Sequence, residues 1–142
     1  MATDINLDDT FWSQSNGQYT GYDLSTDSSG NKVCTLIGNV NVTGGSVPSG
    51  KILETAGYTL TINRSGIFYN KGTITNNNNN GTLNIRGTDG FYNEGTITNY
   101  GTMDVQNFHY NFGTINNHGT MSNTGSLKDI VNYEGTITNS GT

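Results

Sequence analysis

The stretch Gly95-Thr96-Ile97-Thr98-Asn99 recurs along this chain, and its recurrence decides the fold. Similar segments begin at four other glycines, so that successive segments start 22, 23, 18 and 22 residues apart. The other starting residues are Gly50, Gly72, Gly113 and Gly135. In each segment one or two apolar residues lie between polar ones, which is the alternation of a β-strand with one buried face. Self-similarity with units of about 20 residues predicts a repeat architecture in which each unit forms one coil.

Each unit carries two further strand signals after the first one. The second signal is a Thr followed by Leu or Met, and the third is rich in aromatic residues and Asn. The second signal comprises Tyr58-Thr59-Leu60, Gly81-Thr82-Leu83, Gly101-Thr102-Met103 and Gly119-Thr120-Met121. The third comprises Phe68-Tyr69-Asn70, Phe91-Tyr92-Asn93, His109-Tyr110-Asn111 and Val131-Asn132-Tyr133. Because three strands per unit make a coil with three sides, we predict an all-β, three-sided parallel β-helix with 18–23 residues per coil.

The aliphatic residue of the first strand is predicted to point inward in every coil. Stacked coils lie about 4.7–4.9 Å apart, so these residues would form a ladder along the axis. The predicted core ladder consists of Ile52, Ile74, Ile97, Ile115 and Ile137. We expect glycine at the corner before the strand because it tolerates positive φ. We expect Asn at the corner after the strand because it tolerates turns and can bond to the Asn above it.

Coils of this length, with three strands and Asn at the corners, resemble the right-handed parallel β-helix of pectate lyases, viral tailspikes and bacterial adhesins. The resemblance covers about residues 32–142 and concerns architecture, so no functional residue is carried over from it. It implies a right-handed coil and a place in a fibre, spike or adhesin. Six-residue steps, such as those from Gly113 to Gly119 to Gly125, favour a left-handed hexapeptide helix as the alternative. The irregular spacing of 18 to 23 residues counts against that alternative.

The two ends of the chain differ from the repeat. Residues 1–31 do not repeat and hold Trp12, which predicts an N-terminal cap or assembly segment before the coils of residues 32–142. At the other end, the repeat Gly135-Thr136-Ile137-Thr138-Asn139 begins a coil with no cap after it. An uncovered strand edge is a template for pairing with another chain. This segment is therefore the candidate assembly end, and we expect a homo-oligomer or filament.

Threonines on both sides of the inward isoleucine make up a candidate binding face. Strand alternation predicts that they point outward in two parallel rows on one side of the solenoid. The residues of this predicted face are Thr73, Thr75, Thr96, Thr98, Thr114, Thr136 and Thr138. The array resembles the flat Thr face of ice-binding β-helices, and it would also suit carbohydrate or a sister molecule. The competing interpretation is that Thr is simply a good residue for an exposed strand.

Composition limits the function classes. The chain has 142 residues, 31% of them hydrophobic and 12% charged, which suits one domain with a narrow core. A net charge of −5 gives no electrostatic case for nucleic acid. No apolar run approaches membrane-spanning length, so we predict no membrane insertion. The first residues lack a signal-peptide pattern, but the resemblance leads us to expect an extracellular surface or a virion.

Residues that could carry catalysis are scattered along the chain. His109 and His118 have no second metal ligand at a suitable spacing. The nearest carboxylate pair, Asp89 and Glu94, is better explained by a solvated turn. Cys34 is the single cysteine and forms no internal disulfide. We therefore predict no enzyme, cofactor or metal site.

The function predicted from these patterns is structural. We expect a non-enzymatic component of a fibre, appendage, spike or virion surface that self-associates through the ends or faces of the solenoid. The alternative is a binding module whose Thr-x-Thr face recognises ice or carbohydrate.

Overall fold

The chain forms an all-β solenoid in the computed structural model, which describes residues 2–63, 65–86, 90–106, 108–123 and 131–142. Strands account for 55% of the structure and stack as parallel coils through about four turns. The predicted parallel β-solenoid is therefore confirmed, while its right-handed sense stays a prediction. A short helix, α1 (Asp9–Trp12), precedes the coils.

The strands form three sheets, one for each side of the coil. Sheet 1 contains β1 (Thr3–Leu7), β5 (Val40–Gly45), β7 (Thr59–Ile62), β10 (Thr82–Ile85), β13 (Thr102–Val105) and β16 (Thr120–Asn123). Sheet 2 contains β8 (Phe68–Asn70), β11 (Phe91–Asn93), β14 (Phe108–Asn111) and β17 (Val131–Asn132). Sheet 3 contains β2 (Gly17–Gln18), β3 (Tyr22–Thr26), β4 (Lys32–Leu36), β6 (Lys51–Glu54), β9 (Thr73–Asn76), β12 (Thr96–Asn99), β15 (Thr114–Asn117) and β18 (Thr136–Asn139). These pairs are parallel except β2–β3 and β3–β4.

Inward-pointing apolar side chains form the narrow core. In sheet 3, Ile74, Ile97 and Ile115 pair in register from coil to coil, and each is 0% exposed. Full burial of such a side chain contributes about 1.5–3 kcal/mol. Ile137 continues the column in β18 but is 40% exposed, since β15 is the one described strand that pairs with β18. The ladder is therefore fully buried inside the stack and partly exposed at its last described rung.

Ile52 does not belong to this ladder, so its predicted place there is wrong. It pairs with Thr73 on the outer side of sheet 3, while Leu53 pairs with Ile74 and is 0% exposed. The alignment on glycines slips by one residue, because Ile52 lies two residues after Gly50 and occupies the position that Thr73 holds one residue after its glycine. Side chains alternate along a strand, so a slip of one residue exchanges the buried and exposed faces.

Two columns of asparagine run along the inside of the corners, and they are buried except at their last described members. In each column the Nδ2 group of one Asn donates to the Oδ1 atom of the next, at 2.7–2.9 Å. The first Asn ladder comprises Asn76, Asn99, Asn117 and Asn139, and the second Asn ladder comprises Asn70, Asn93, Asn111 and Asn132. The same amide also donates to backbone carbonyls, as Asn99 does to Gly101 and Thr120 at 3.0 Å. These bonds satisfy polar groups that would otherwise be costly to bury.

The corner glycines are required by close packing of the coils. A Cβ atom on Gly95 would lie 2.0 Å from the carbonyl oxygen of Gly72, and one on Gly113 would lie 2.0 Å from that of Gly95. None of these three glycines has the positive φ that we expected from the sequence, although Gly50 does, at 78°. The physical reason for glycine in this column is therefore the contact between successive backbones.

The N-terminal segment packs against the core of the coils. Asp8 accepts a hydrogen bond from the Phe11 amide at 2.8 Å and so begins α1. Phe11 and Trp12 are buried against the core, and Trp12 Nε1 donates to the Ser46 carbonyl at 2.9 Å. Strand β1 extends sheet 1 in parallel, whereas β3 adds to sheet 3 antiparallel to β4.

The corners vary in length while the strands keep their register. Between β9 and β10 the residues Asn77–Asn80 form an exposed loop, and the Asn77 side chain accepts a bond from the Ala56 amide at 2.9 Å. The next two coils make the same corner with three fewer residues, yet β10 pairs residue by residue with β7 and with β13. Additional residues at this corner are therefore accommodated outside the stack.

Candidate functional site

The predicted Thr face lies on the outer side of sheet 3. One row contains Thr73, Thr96, Thr114 and Thr136, and the other contains Thr75, Thr98, Asn116 and Thr138. Both rows follow the register of the strands, so neighbours along a row are about 4.7–4.9 Å apart. The side chains are half-buried in the first three coils and exposed in β18. Towards β6 the rows end, because Ile52 and Glu54 pair with Thr73 and Thr75.

Threonine is not confined to this face. A further column on sheet 1 contains Thr59, Thr82, Thr102 and Thr120, paired in the same way. Beside it, the Arg86 guanidinium forms a salt bridge with the Asp104 carboxylate at 2.8 Å. Thr on two sides of the solenoid fits its general suitability for exposed strands. The special feature of the sheet 3 face is therefore the doubled row, rather than the presence of Thr.

The predicted assembly end, Gly135 to Asn139, lies at the last described coil. All four residues of β18 are exposed, and Asn139 Oδ1 accepts from Asn117 Nδ2 at 2.8 Å. Beside Ile137 lies a concavity of about 300 Å³, whose lining includes the apolar side chains of Val105 and Met121. Among the described residues, the side chain of Ile137 is thus partly accessible next to this concavity.

An aromatic surface, which the sequence reasoning missed, lies on sheet 2 and its corner with sheet 3. We call it the aromatic stripe, and its members are Tyr69, Tyr92, Tyr110, Phe112 and Tyr133. Successive ring centroids are 5.3 Å (Tyr69–Tyr92), 5.2 Å (Tyr92–Tyr110), 5.9 Å (Tyr110–Phe112) and 5.4 Å (Phe112–Tyr133) apart. Phe112 is 39% and Tyr133 is 56% exposed. The signal was the repeated Phe-Tyr-Asn triplet, in which alternation places Phe and Asn inside and Tyr outside.

The histidines are placed differently. His118 is exposed, with its ring stacked on Tyr100 at 4.7 Å and Nδ1 2.8 Å from Ser140 Oγ. The side chain of His109, and the whole of Arg64, Asp89 and Asp129, lie outside the described residues. Within the described part of the chain, no three His, Cys, Asp or Glu residues are grouped so as to hold a metal ion.

The single cysteine is buried inside the first coil. Cys34 is 0% exposed, and its burial, together with the nearby Asp23 carboxylate, raises the pKa of its thiol to about 12. A thiol in this state is protonated and a poor nucleophile at neutral pH. The side chain therefore acts as a small core residue.

The fold defines the chain as a β-solenoid repeat protein. Comparison with known proteins finds no matching family model, no matching curated protein and no matching solved structure. Within the described ranges, no helix has both the length and the apolar character needed to span a bilayer.

Proposed function

We propose that this chain is a non-catalytic structural module of a fibre, appendage, spike or virion surface that associates with further copies of itself. The observation that carries this proposal is the state of β18, whose pairing with β15 leaves its other edge without a described strand. Ile137 in β18 is 40% exposed, although Ile115 directly before it in the ladder is fully buried. An edge with an open apolar rung is a template for strand addition.

The two ends of the solenoid are not complementary in sheet 3. At the N-terminal end the outermost strand, β2, has only 2 residues, and Phe11 and Trp12 lie over the core. A copy added head to tail would therefore meet a very short strand edge and a core that is already covered. Two copies related by a twofold axis would instead pair their β18 strands antiparallel, a geometry that sheet 3 already contains. Such an interface is self-complementary and closed. We therefore favour tail-to-tail pairing as the elementary step, with lateral contacts needed for longer assemblies.

Sedimentation velocity across a wide range of protein concentration tests this proposal. Ile137→Lys places a charge at the open rung and is expected to shift the distribution to monomer, because inward charges block edge pairing. Thr98→Lys serves as the matched control, since it places the same charge in the middle of the Thr face. A parent protein that stays monomeric at every concentration would refute self-association. Loss of association in Thr98→Lys alone would assign it to the face instead of the end.

The second candidate function is a binding module that recognises ice or carbohydrate through the Thr face. It is supported by the in-register double row, which presents hydroxyl and methyl groups on a regular lattice. Replacing Thr96 and Thr98 together by Tyr would disrupt the centre of that lattice. If the parent protein produces thermal hysteresis and inhibits ice recrystallisation, the double variant is expected to lose both activities. A parent protein without either activity removes ice as the ligand.

A further inference from the structure

The aromatic stripe is an accessible surface whose composition contrasts with the rest of the molecule. Only 31% of the chain is hydrophobic, yet five aromatic rings meet along one side of successive coils. Tyr133 and Phe112, which are 56% and 39% exposed, are not needed to fill the core. Large exposed aromatic side chains that contact one another are typical of a binding surface.

The size of the stripe favours a narrow ligand. With about 150–250 Å² per aromatic side chain, the accessible parts of Phe112 and Tyr133 amount to about 200 Å². A stable protein–protein interface needs about 800 Å² on each partner. The stripe follows the coil spacing along the solenoid axis and is only one or two rings wide. Its shape therefore fits a linear polymer lying parallel to that axis.

The chemistry of the stripe favours a sugar polymer. The C–H face of a pyranose ring packs on an aromatic ring, while its hydroxyl groups hydrogen-bond to polar groups at the edges. Polar groups of this kind border the stripe, since Lys71 and Glu94 are exposed and the Lys71 ammonium lies 5.6 Å from the centre of the Tyr69 ring. Within the column Tyr69, Tyr92 and Tyr110, and between Phe112 and Tyr133, ring centroids are 5.2–5.4 Å apart, which is about the length of one hexopyranose unit.

Charge selects among sugar polymers. Glu94 and Glu134 are exposed beside the rings, and the chain carries a net charge of −5. Acidic polymers such as polyuronates and nucleic acids would be repelled by this field. We propose that the aromatic stripe binds a neutral, linear polysaccharide along the solenoid axis. This surface is distinct from the Thr face and from the β18 edge.

Affinity electrophoresis tests this inference with the folded 142-residue chain. Native gels contain hydroxyethylcellulose, glucomannan or soluble amylose as neutral probes, and polygalacturonate as the acidic control. We expect at least one neutral polymer to retard the parent protein, and polygalacturonate not to. The variant Phe112→Ala/Tyr133→Ala should lose affinity roughly tenfold, because it removes the two most accessible stacking surfaces.

The matched control is Tyr100→Ala, which removes another exposed aromatic ring. Tyr100 follows the last residue of β12, whereas Phe112 lies before the first residue of β15, so the two rings are at opposite ends of the sheet 3 strands. The Tyr100→Ala variant should bind as the parent does. The single variant Tyr133→Ala, at the most exposed ring, provides a milder test if circular dichroism shows that the double variant is misfolded. Ile137→Lys should keep polysaccharide binding, so failure of this inference and failure of the tail-to-tail proposal are distinguishable.

Three outcomes would overturn the inference. One is the absence of retardation by every neutral polymer. Another is an equal loss of retardation in Tyr100→Ala, which would show that the stripe is not the determinant. The last is conversion of an oligomeric parent into a monomer by Phe112→Ala/Tyr133→Ala, which would make the stripe a contact between copies of the chain.

Discussion

The Thr55 hydroxyl donates a hydrogen bond to Asn76 Oδ1 at 2.6 Å, and both side chains are 0% exposed. Thr55 thereby satisfies the first carbonyl of the first Asn ladder. The second Asn ladder starts differently, because Val47 pairs with Asn70 at the position below it. The Oδ1 atom of Asn70 is buried and has no hydrogen-bond partner among the described residues. Among the described residues, the first Asn ladder thus has a donor for its first carbonyl, and the second Asn ladder has none.

Replacing Val47 with Thr should stabilise the protein. The two side chains have nearly the same shape, and a hydroxyl at this position can donate to Asn70 Oδ1. We expect a gain of about 0.5–1.5 kcal/mol in the free energy of unfolding, measured by urea denaturation. The reciprocal variant Thr55→Val should lose about 1–3 kcal/mol, because it leaves the Asn76 carbonyl unpaired. A destabilised Val47→Thr would mean that the hydroxyl does not reach its acceptor.

Asparagines inside a ladder should matter more than those at its last rung. Asn99→Ala removes an acceptor from Asn76 and a donor to Asn117 at a site with 0% exposure. We expect a loss of more than about 2 kcal/mol in the free energy of unfolding. Asn139→Ala, in the exposed strand β18, should cost well under half as much. Equal losses in the two variants would contradict a role for burial in the strength of the ladder.

Gly95 should not tolerate any side chain. A Cβ atom there would clash with the Gly72 carbonyl oxygen at 2.0 Å, so that two coils must separate. Gly95→Ala is expected to lower the free energy of unfolding by about 3 kcal/mol or more, as over-packing at a close backbone contact does. Gly38→Ala is the control, since its Cβ would meet no atom closer than 4.0 Å. Thermal unfolding followed by circular dichroism compares the two variants directly.

Buried Cys34 should make stability depend on pH in the alkaline range. Its thiol has a pKa of about 12 in the folded state and an ordinary value of 9.0, so the folded state keeps a proton that the unfolded chain releases. The stabilising effect of the protonated Cys34 thiol on the folded state is fully present below about pH 9, and it is lost as the pH rises towards 12. Within that window the loss is about 1.4 kcal/mol per pH unit.

The variant Cys34→Ala isolates this effect from the other groups that titrate at high pH. Urea denaturation at a series of alkaline pH values should show a shallower decline for the variant than for the parent. Parallel curves for the two proteins would argue against a raised thiol pKa. In the folded parent the thiol should also resist alkylation at neutral pH and react only after denaturation.

Much of the fold could be predicted from the sequence, because spacing and alternation are local properties. Ile74 and Ile97 lie between threonines at equivalent places in successive units, and that pattern alone predicts their stacking. Ile52 was misassigned because the units were aligned on their glycines. The corner after Gly50 is one residue longer than the corner after Gly72, so Leu53 and not Ile52 pairs with Ile74. The contact that requires glycine at position 95 is between coils, and no spacing in the sequence shows it.

The candidate surfaces were less predictable than the coils. The outward direction of Thr96 and Thr98 follows from alternation once the inward residue is known. The second Asn ladder requires the register of sheet 2, which pairs Asn93 with Asn70 and with Asn111. The aromatic stripe depends on the corner that brings Phe112 beside Tyr110 and Tyr133. The function that any of these surfaces performs depends on a second molecule, whose chemistry is not written in the repeat.

The exposed loop of residues 77–80 shows that the chain can be lengthened at a corner without a change in the stacked strands. Since register is held by the strands before and after this corner, a foreign peptide spliced between Asn77 and Asn80 would be displayed on an unchanged scaffold. Equivalent corners in the following coils offer attachment points at a fixed pitch. We therefore expect the solenoid to hold inserted epitopes or enzymes at intervals set by the spacing of its coils.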